Sequence, residues 1–321
     1  MRVRLVPGWS AAAILVLEFA FFTAILWRGD GPHTFANAEN VALIFKYAGI
    51  YGISAIGAAL IIGTGGIDLA PGAVIALASV VTGHLFAAAG WPLPAAMAAG
   101  LAVGALSGGL AALLIVGARL PPFIATLGVM GIARGLAFLL TEGRFYDLSR
   151  WLAAGLAPLG IPLSAWPGAL MIGLAVVFQL VLTRTAFGRH LLATGGNETA
   201  ARYAGVRVGR VKAGVYVIGG VLAALSGVVL AVVQGQGKAD LATGYELDII
   251  AAAVVGGASL AGGRASVVGA VLGALIFGVL RNALTQIPGG TFADRLILGV
   301  AVVIIVVLDR FASGRSEESH R

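Results

Sequence analysis

The sequence predicts an all-α integral membrane protein, a polytopic bundle of about ten transmembrane helices with both termini in the cytoplasm. Three observations lead to this fold class. Hydrophobic residues make up 59% of the 321 residues and charged residues only 11%, against about 25% charged in ordinary soluble domains. Apolar runs of about 20 residues, long enough to cross a bilayer, recur along the whole chain. Lys and Arg gather in alternate loops between those runs, as in multi-spanning proteins.

Apolar windows bounded by charged residues, prolines or turn clusters define the predicted spans. They cover residues 10–27, 41–62, 72–89, 95–116, 123–141, 166–183, 213–233, 247–261, 266–284 and 292–308. The second could begin with an interfacial half-helix that carries Lys46, and the eighth is short. Glycines four residues apart predict faces on which helices approach closely in lipid. Such series occur at Gly100/Gly104/Gly108, Gly131/Gly135 and Gly269/Gly273.

The first span follows two arginines and precedes Ala36-Asn37-Ala38, which looks like a signal-peptide cleavage site. The apolar run is longer than the 7–15 residues, roughly, of a signal peptide and ends well before that site. We therefore expect it to be retained as a helix. Glu18 lies midway along it, and we expect a structural carboxyl that faces the bundle, with a transport role as the alternative.

The orientation follows from the short loops, because both termini share a side when the number of spans is even. One side carries most of the basic residues: Arg2, Arg4, Arg119, Arg184, Arg189, Arg202, Arg207, Arg210, Lys212, Arg264, Arg310, Arg315 and Arg321. The opposite loops carry fewer, mixed with acidic residues: Arg28, Arg144, Arg150, Lys238, Arg281 and Arg295. The positive-inside rule makes the first side cytoplasmic. The net charge of +7 is therefore a topology signal rather than a sign of nucleic-acid binding.

A glycine-rich break separates the second and third spans and contains Gly65, Gly66 and Asp68, just before Pro71. Irregular backbone at membrane depth is tolerated only where protein or a water-filled cavity surrounds it. We expect Asp68 to line or gate a path, with a simple N-cap of the next helix as the alternative. Residues 65–70 also resemble residues 256–261, which indicates repeated halves or a chance match in a Gly- and Ala-rich chain.

Three further ionisable residues lie inside apolar segments. Arg134 is expected to pair with a carboxyl inside the bundle, and direct substrate contact is the alternative. Glu246 and Asp248 open a predicted helix at its positive end, where the helix dipole alone stabilises them.

The hydrophilic connection at residues 184–212 carries the signals of a short helix. Gly195 and Gly196 break the chain, Asn197 is a good N-cap, and Glu198 follows in the first turn. Gly205 can supply a left-handed C-cap. The small residues between them leave little bulk, so the helix could enter a groove of another protein. Alternatively, it lies on lipid headgroups, held by its arginines.

Enzyme signatures are missing from the sequence. It contains no HExxH, no GxSxG, no cysteine and no GxxxxGK[ST] phosphate-binding loop. The sequence therefore predicts no metal or hydrolytic site and no phosphate-binding loop for ATP, which leaves the energy source open if the chain is an active transporter. Its energy would come from another polypeptide or from an ion gradient.

Several motifs resemble those of the ribose/xylose/arabinose-type ABC sugar importer permeases. They occur in the family's order and cover most of the chain from Asn40 onward. The stretches are residues 65–69 (GGIDL), 121–128 (PPFIATLG), 132–135, 188–189, 195–198 with 200–201, 244–248, 256–257 and 260–264. Two segments depart from the family: Ala70-Pro71, where a Ser and a small apolar residue are usual, and residues 142–165. These departures concern the substrate rather than the class.

The resemblance implies one permease domain, residues 1–321, in the bacterial inner membrane. It implies a transport subunit with no cofactor and no ATPase site of its own. It also implies a homodimer, a cytoplasmic ABC ATPase that binds ATP, and a periplasmic sugar-binding protein. It also favours the first alternative for residues 184–212, as the segment that couples the permease to the ATPase. The residues implied in coupling are Gly188, Arg189, Gly195, Gly196, Asn197, Glu198, Ala200, Ala201 and Gly205. Those implied in the translocation path or its gating are Gly65, Gly66, Asp68, Phe123, Thr126 and Arg134.

Other functions remain open on this sequence. A permease of the same architecture could carry a nucleoside, a branched-chain amino acid or a furanone signal. An ion-coupled carrier acting alone, or a membrane enzyme, would belong to a different class.

Overall fold

The computed structural model describes residues 9–26, 35–149, 166–287, 289–290, 296–297 and 299–300. Eleven α-helices and two short strands have both of their ends within these residues. The helices are α1 (Trp9–Ile25), α2 (Ala38–Gly63), α3 (Pro71–Gly83), α4 (Leu93–Ala112), α5 (Pro122–Thr141), α6 (Trp166–Arg184), α7 (Ala186–Gly196), α8 (Glu198–Tyr203), α9 (Val208–Gln234), α10 (Tyr245–Val255) and α11 (Val267–Gln286). Single π-helical turns, His84–Ala88 and Leu113–Gly117, extend α3 and α4.

Seven helices among the described residues are long and apolar enough to cross a membrane. They are α2, α3 with its π-turn, α4 with its π-turn, α5, α6, α9 and α11, and each coincides with a predicted span. The first predicted span is the shorter helix α1, of 17 residues. The predicted span at residues 292–308 lies largely outside the described residues. The fold is therefore an all-α membrane bundle, as predicted.

The eighth predicted span is wrong in its extent. Helix α10 has only 11 residues, which at 1.5 Å per residue is about half the bilayer core. It ends early because Gly257 takes a positive φ of 97° and the Ala258 amide donates to the Ala253 carbonyl, a Schellman closure. Helix α2 closes in the same way at Gly65 and Gly66. The sequence match aligns Gly65 with Gly256, whereas the glycines with positive φ that close the two helices are Gly65 and Gly257. The two closures therefore lie one residue out of step with the sequence match between residues 65–70 and 256–261.

Helix α2 is continuous from Ala38 to Gly63, so the predicted half-helix around Lys46 is not a separate element. The Asn37 side chain caps it by accepting from the Asn40 amide at 2.7 Å. Phe35, just before this cap, packs against Phe19 and Phe22 of α1. The polar cap and the aromatic contacts together fix the start of α2 beside α1.

The two most buried spans, α2 and α9, form the centre of the bundle. Glycines let their backbones approach: Gly57 of α2 lies against Gly219 of α9, and Gly104 of α4 against Gly220. The predicted glycine faces of α4 and α11 are thus packed, since Gly269 and Gly273 also meet the α10 backbone. The predicted glycine face of α5 is not packed against another helix in the described residues. A Cβ added at Gly131 or Gly135 would meet nothing within 4 Å.

The bundle has two ends. At one, which we call the hairpin end, β1 (Phe145–Asp147) pairs antiparallel with β2 (Gln236–Lys238), and Tyr146 packs against Gly83. At the other, which we call the connector end, α7 contacts the last residue of α2 and the turn at residues 262–263. The sequence does not predict the strand pair.

Candidate functional site

Two helices begin near the middle of the bundle rather than at an end. Gly66, before α3, lies against the Tyr216 hydroxyl, and Asp68 shares a cavity wall with Gly220. Both partners lie near the centre of the 27-residue α9. The start of α10 reaches the same place, because the Glu246 carboxylate lies against Gly72 of α3. Two positive helix ends therefore meet within the membrane bundle.

Helix α5 provides a hydrogen-bond partner for the irregular backbone before α3. The Leu69 amide donates to the Thr126 hydroxyl at 3.2 Å, and that hydroxyl donates to the Pro122 carbonyl at 2.9 Å. Tyr216 adds a longer bond to the Ile67 carbonyl, at 3.4 Å. Thr126, one of the predicted path residues, thus holds the break in place. Its structural role is clear, since unpaired backbone groups at this depth are costly.

The same helix also supports the segment before α10. Arg134 donates from one guanidinium nitrogen to the carbonyls of Ala239 and Leu241, at 2.6 and 2.9 Å. The predicted pairing of Arg134 with a carboxyl is not a close ion pair among the described residues, where its hydrogen-bond partners are these two carbonyls. The carboxylates of Glu246 and Asp240 act on its charge from a longer distance. Arg134 thus binds two carbonyls of the irregular segment before α10.

Asp68 is buried, with 9% of its surface exposed. Its Oδ1 accepts from the Ala70 amide at 2.9 Å, which is a local turn. The N-cap of α3 is Ala70, with no side-chain cap, so the simple N-cap alternative is not what the structure contains. Asp68 also lines a small cavity with Ser107 and Val129, of about 10 Å³, close to the minimum for one water molecule. The cavity thus leaves little free space beside the break.

An ion pair that the sequence did not predict joins α10 to α11. Arg281 donates to Asp248 at 2.8 Å, and Asp248 is only 7% exposed. The Arg281 guanidinium also lies 5.6 Å from the ring centre of Tyr245, which stacks edge-on with Tyr51 of α2. Glu246 and Asp248 do lie in the first turn of α10, as predicted. Asp248 is therefore stabilised by its ion pair with Arg281 as well as by the helix dipole.

Glu18 of α1 faces the protein. Its Oε2 is buried and has no hydrogen-bond partner among the described residues. The prediction that this carboxyl faces the bundle is confirmed.

One face of α5 is buried and the other is open. Ala125, Thr126 and Val129 are buried on the first face. On the second, Phe123 is 51% exposed, and Gly128 has open space around it. The predicted path residues on α5 therefore fall on different sides: Thr126 inside the bundle and Phe123 on its surface.

At the connector end, α8 has the caps that the sequence predicts. Asn197 is its N-cap and accepts from the Ala200 amide at 2.9 Å. Glu198 follows in the first turn, and Gly205 takes a positive φ of 84° after the helix. Ala201 is buried, whereas Ala200 is exposed and Tyr203 is 89% exposed. The helix thus presents a free outer face with one large aromatic side chain.

The two glycines before α8 differ in their surroundings. They are the last two residues of a helix, α7, rather than a break in the chain. A Cβ on Gly195 would meet the Gly63 carbonyl and the Gly263 amide, whereas one on Gly196 would lie 3.9 Å from the nearest atom, the Gly263 Cα. The Gly263 amide itself donates to the Gly63 carbonyl at 3.0 Å. Gly195 is therefore in a three-way backbone junction that attaches α7 to the bundle.

Two further residues of the predicted coupling set lie at the start of α7. Gly188 packs against the Leu182 backbone of α6, and its amide donates to the N-cap Thr185 at 3.2 Å. Arg189 is exposed. Gly188 thus sets the angle between α6 and α7.

Glu198 forms two ion pairs, one within α8 and one that joins α8 to its surroundings. Glu198 bonds Arg202 at 3.0 Å within the helix and Lys212 of α9 at 2.6 Å. The hydrogen bond from Lys212 is the main cause that lowers the pKa of Glu198, and Arg202 adds to it. The Lys212 contact, which the sequence did not predict, joins the surface helix to a membrane-spanning one.

No group of three or more His, Asp or Glu side chains in the described part of the chain could hold a metal ion.

Comparison with known proteins covers nearly the whole chain. A family model described as "Branched-chain amino acid transport system / permease component" matches residues 40–308. The ribose import permease protein of Escherichia coli (strain K12) is 35% identical over 283 residues, 86% of this chain and 87% of the relative. The ribose import permease protein of Bacillus subtilis (strain 168) is 36% identical over 287 residues, 86% of each chain.

A third relative extends the match further along the chain. The L-arabinose transport system permease protein of Escherichia coli (strain K12) is 33% identical over 306 residues, 94% of this chain and 91% of the relative. No solved structure matches the chain.

Proposed function

Because this chain belongs to the family of ABC transport system permease components, we propose that it is the membrane subunit of a binding-protein-dependent importer that carries a monosaccharide of the pentose type. The family match over residues 40–308 carries the proposal. The chain is a multi-pass protein of the bacterial inner membrane. The sugar is proposed from the names of the relatives, which transport ribose and arabinose.

The proposed topology has ten spans with both termini in the cytoplasm, so that the connector end is cytoplasmic. The whole chain, residues 1–321, forms one permease domain with a coupling loop at residues 184–212. The basic residues of this loop support the orientation. The shared location of residues 63, 195 and 263 at one end of the bundle is consistent with it.

The proposed partners are a cytoplasmic ABC ATPase, a periplasmic sugar-binding protein and a second copy of this chain. The permease needs no cofactor, since the ATPase subunit binds ATP. The exposed outer face of α8, with Tyr203, is the contact that we assign to the ATPase. The open face of α5, with Phe123 and Gly128, is where the second copy and the path between the two copies would lie.

The proposed mechanism is mechanical. When ATP draws the two ATPase subunits together, α8 moves with them, and the Gly195 junction and the Glu198–Lys212 pair pass the motion to α2 and α9. The breaks before α3 and α10 lie beside these two helices, so a tilt changes the small cavity at Asp68. Gly65 and Gly66 allow the backbone there to move. A neutral, hydrated sugar needs weakly polar walls rather than a tight charged site, and the binding protein supplies most of the recognition.

Reconstitution tests this function. Vesicles containing the chain, its ATPase and the sugar-binding protein should take up ribose or arabinose only when ATP is supplied to the ATPase side. Uptake by the chain alone, driven by an ion gradient, would show an ion-coupled carrier instead. ATP-driven uptake of an amino acid or a nucleoside, but of no sugar, would keep the class and refute the substrate.

A further inference from the structure

A basic cavity lies at the connector end, between α7 and the first turns of α9. Its volume is about 400 Å³, and its walls are formed by Phe187, His190, Gly205, Arg207, Arg210 and Val211. None of the contacts that attach α8 to the bundle uses these side chains. The cavity therefore needs an explanation of its own.

The cavity has a charged half and an apolar half. Arg207 and Arg210 lie one turn apart at the start of α9 and are exposed. Val211 is buried, and the Phe187 ring lies against Gly214, further along α9 toward the centre of the bundle. The charges thus face the aqueous side, and the apolar wall lies on the membrane side.

The positive charges have no carboxylate partner in the described part of the chain. The ion pairs there involve Glu198, Asp240 and Asp248, and none includes Arg207 or Arg210. Arg207 is the N-cap residue of α9 and makes no side-chain cap hydrogen bond, so the positive end of this 27-residue helix lies at the same site. Three sources of positive potential therefore meet in one cavity.

We propose that this cavity binds the phosphate group of an anionic phospholipid. Guanidinium groups bind phosphate oxygens through paired hydrogen bonds, and basic pockets beside membrane helices bind anionic headgroups. The phosphodiester lies between Arg207 and Arg210, with His190 as a further donor. The first acyl carbons contact Phe187 and Val211. A carboxylate of a partner protein would satisfy the charges but would leave the apolar wall without a contact.

The test uses the full chain in bilayer nanodiscs of phosphatidylcholine with increasing phosphatidylglycerol, and native mass spectrometry counts the lipids retained. The wild type should retain phosphatidylglycerol in preference to phosphatidylcholine. The double variant R207Q/R210Q should lose affinity for phosphatidylglycerol by about thirtyfold. The control R184Q/R264Q removes the same charge from exposed positions at the same end, and it should retain the lipid as the wild type does.

Four results would overturn the proposal. An equal loss in both double variants would indicate diffuse surface charge, and displacement of the lipid by inorganic phosphate would indicate a soluble ligand. Unchanged lipid binding with lost ATPase binding in R207Q/R210Q would indicate a protein contact. A wild type without preference for phosphatidylglycerol would refute the site even if the variant did not fold. Lipid retention is measured without transport, so the result is independent of the proposed substrate.

Discussion

Gly195 and Gly196 are neighbours in the sequence, but a Cβ added at Gly195 would clash with another backbone, whereas one added at Gly196 would not. Gly195→Ala should therefore push α7 away from Gly63, at a cost of about 1–3 kcal/mol for an overpacked site, and should lower ATP-driven uptake strongly. Gly196→Ala has room and should transport normally. Uptake in reconstituted vesicles checks both. Equal uptake by the two variants would contradict the junction.

Arg134 donates to the carbonyls of Ala239, which is buried, and of Leu241, which is partly buried. Arg134→Met should leave the Ala239 and Leu241 carbonyls short of a donor, which costs about 1–3 kcal/mol for a buried group. Thermal unfolding of the purified chain in detergent measures this as a lower Tm. Arg144→Met removes an exposed arginine and is the control. An unchanged Tm for Arg134→Met would mean that the carbonyls find other partners.

Glu198 and Lys212 are partly exposed, with 42% and 23% of their side chains accessible, so their pair stabilises the fold little. Its expected effect is on coupling: Glu198→Gln should lower ATP-driven uptake while Tm stays near that of the wild type.

The lowered pKa of Glu198 also predicts over which pH range the defect of Glu198→Gln stays constant. Because Lys212 lowers that pKa below its ordinary 4.5, the contribution of the pair is fully present above the ordinary value and is lost as the pH falls through the lowered one. The defect of Glu198→Gln should therefore be constant between about pH 6 and 8. A defect that grew or vanished within that range would contradict the assignment.

At the scale of elements, α10 is attached to α11 by Asp248 and Arg281. Arg281→Met should leave a buried carboxylate without its cation, at a cost of about 3–5 kcal/mol. The double variant D248N/R281M should recover part of this loss, because it removes the uncompensated charge as well. Thermal unfolding of the two variants compares them. A double variant less stable than the single one would show that the ion pair is not the main contact.

Long apolar runs predicted the spanning helices well, since nothing else in a sequence requires about 20 consecutive apolar residues. The caps of α8 were also predictable, because Asn197, Glu198 and Gly205 act within one short segment. The half-length of α10 was missed because apolar residues continue past Val255, and only the positive φ of Gly257 ends the helix. Strands of three residues are too short to show an alternating pattern.

The hydrogen-bond partners of Arg134 could not be predicted from the sequence. Arg134 bonds backbone carbonyls more than 100 residues away, and any carbonyl in the chain is chemically equivalent. Asp248 and Arg281 are both ionisable residues in apolar segments, so their pairing was a possible inference. The packing of three distant segments likewise determines that an added Cβ would clash at Gly195 and not at Gly196.

At the scale of the whole molecule, the account depends on the connector end facing the cytoplasm, where an ATPase can act on α8. The chain contains no cysteine, so single cysteines can be labelled without background. The measurement is reaction of Tyr203→Cys and Lys238→Cys with a membrane-impermeant maleimide in right-side-out spheroplasts. The account predicts that Lys238→Cys reacts directly and that Tyr203→Cys reacts only after the membrane is permeabilised. Labelling of Tyr203→Cys in sealed spheroplasts would contradict it.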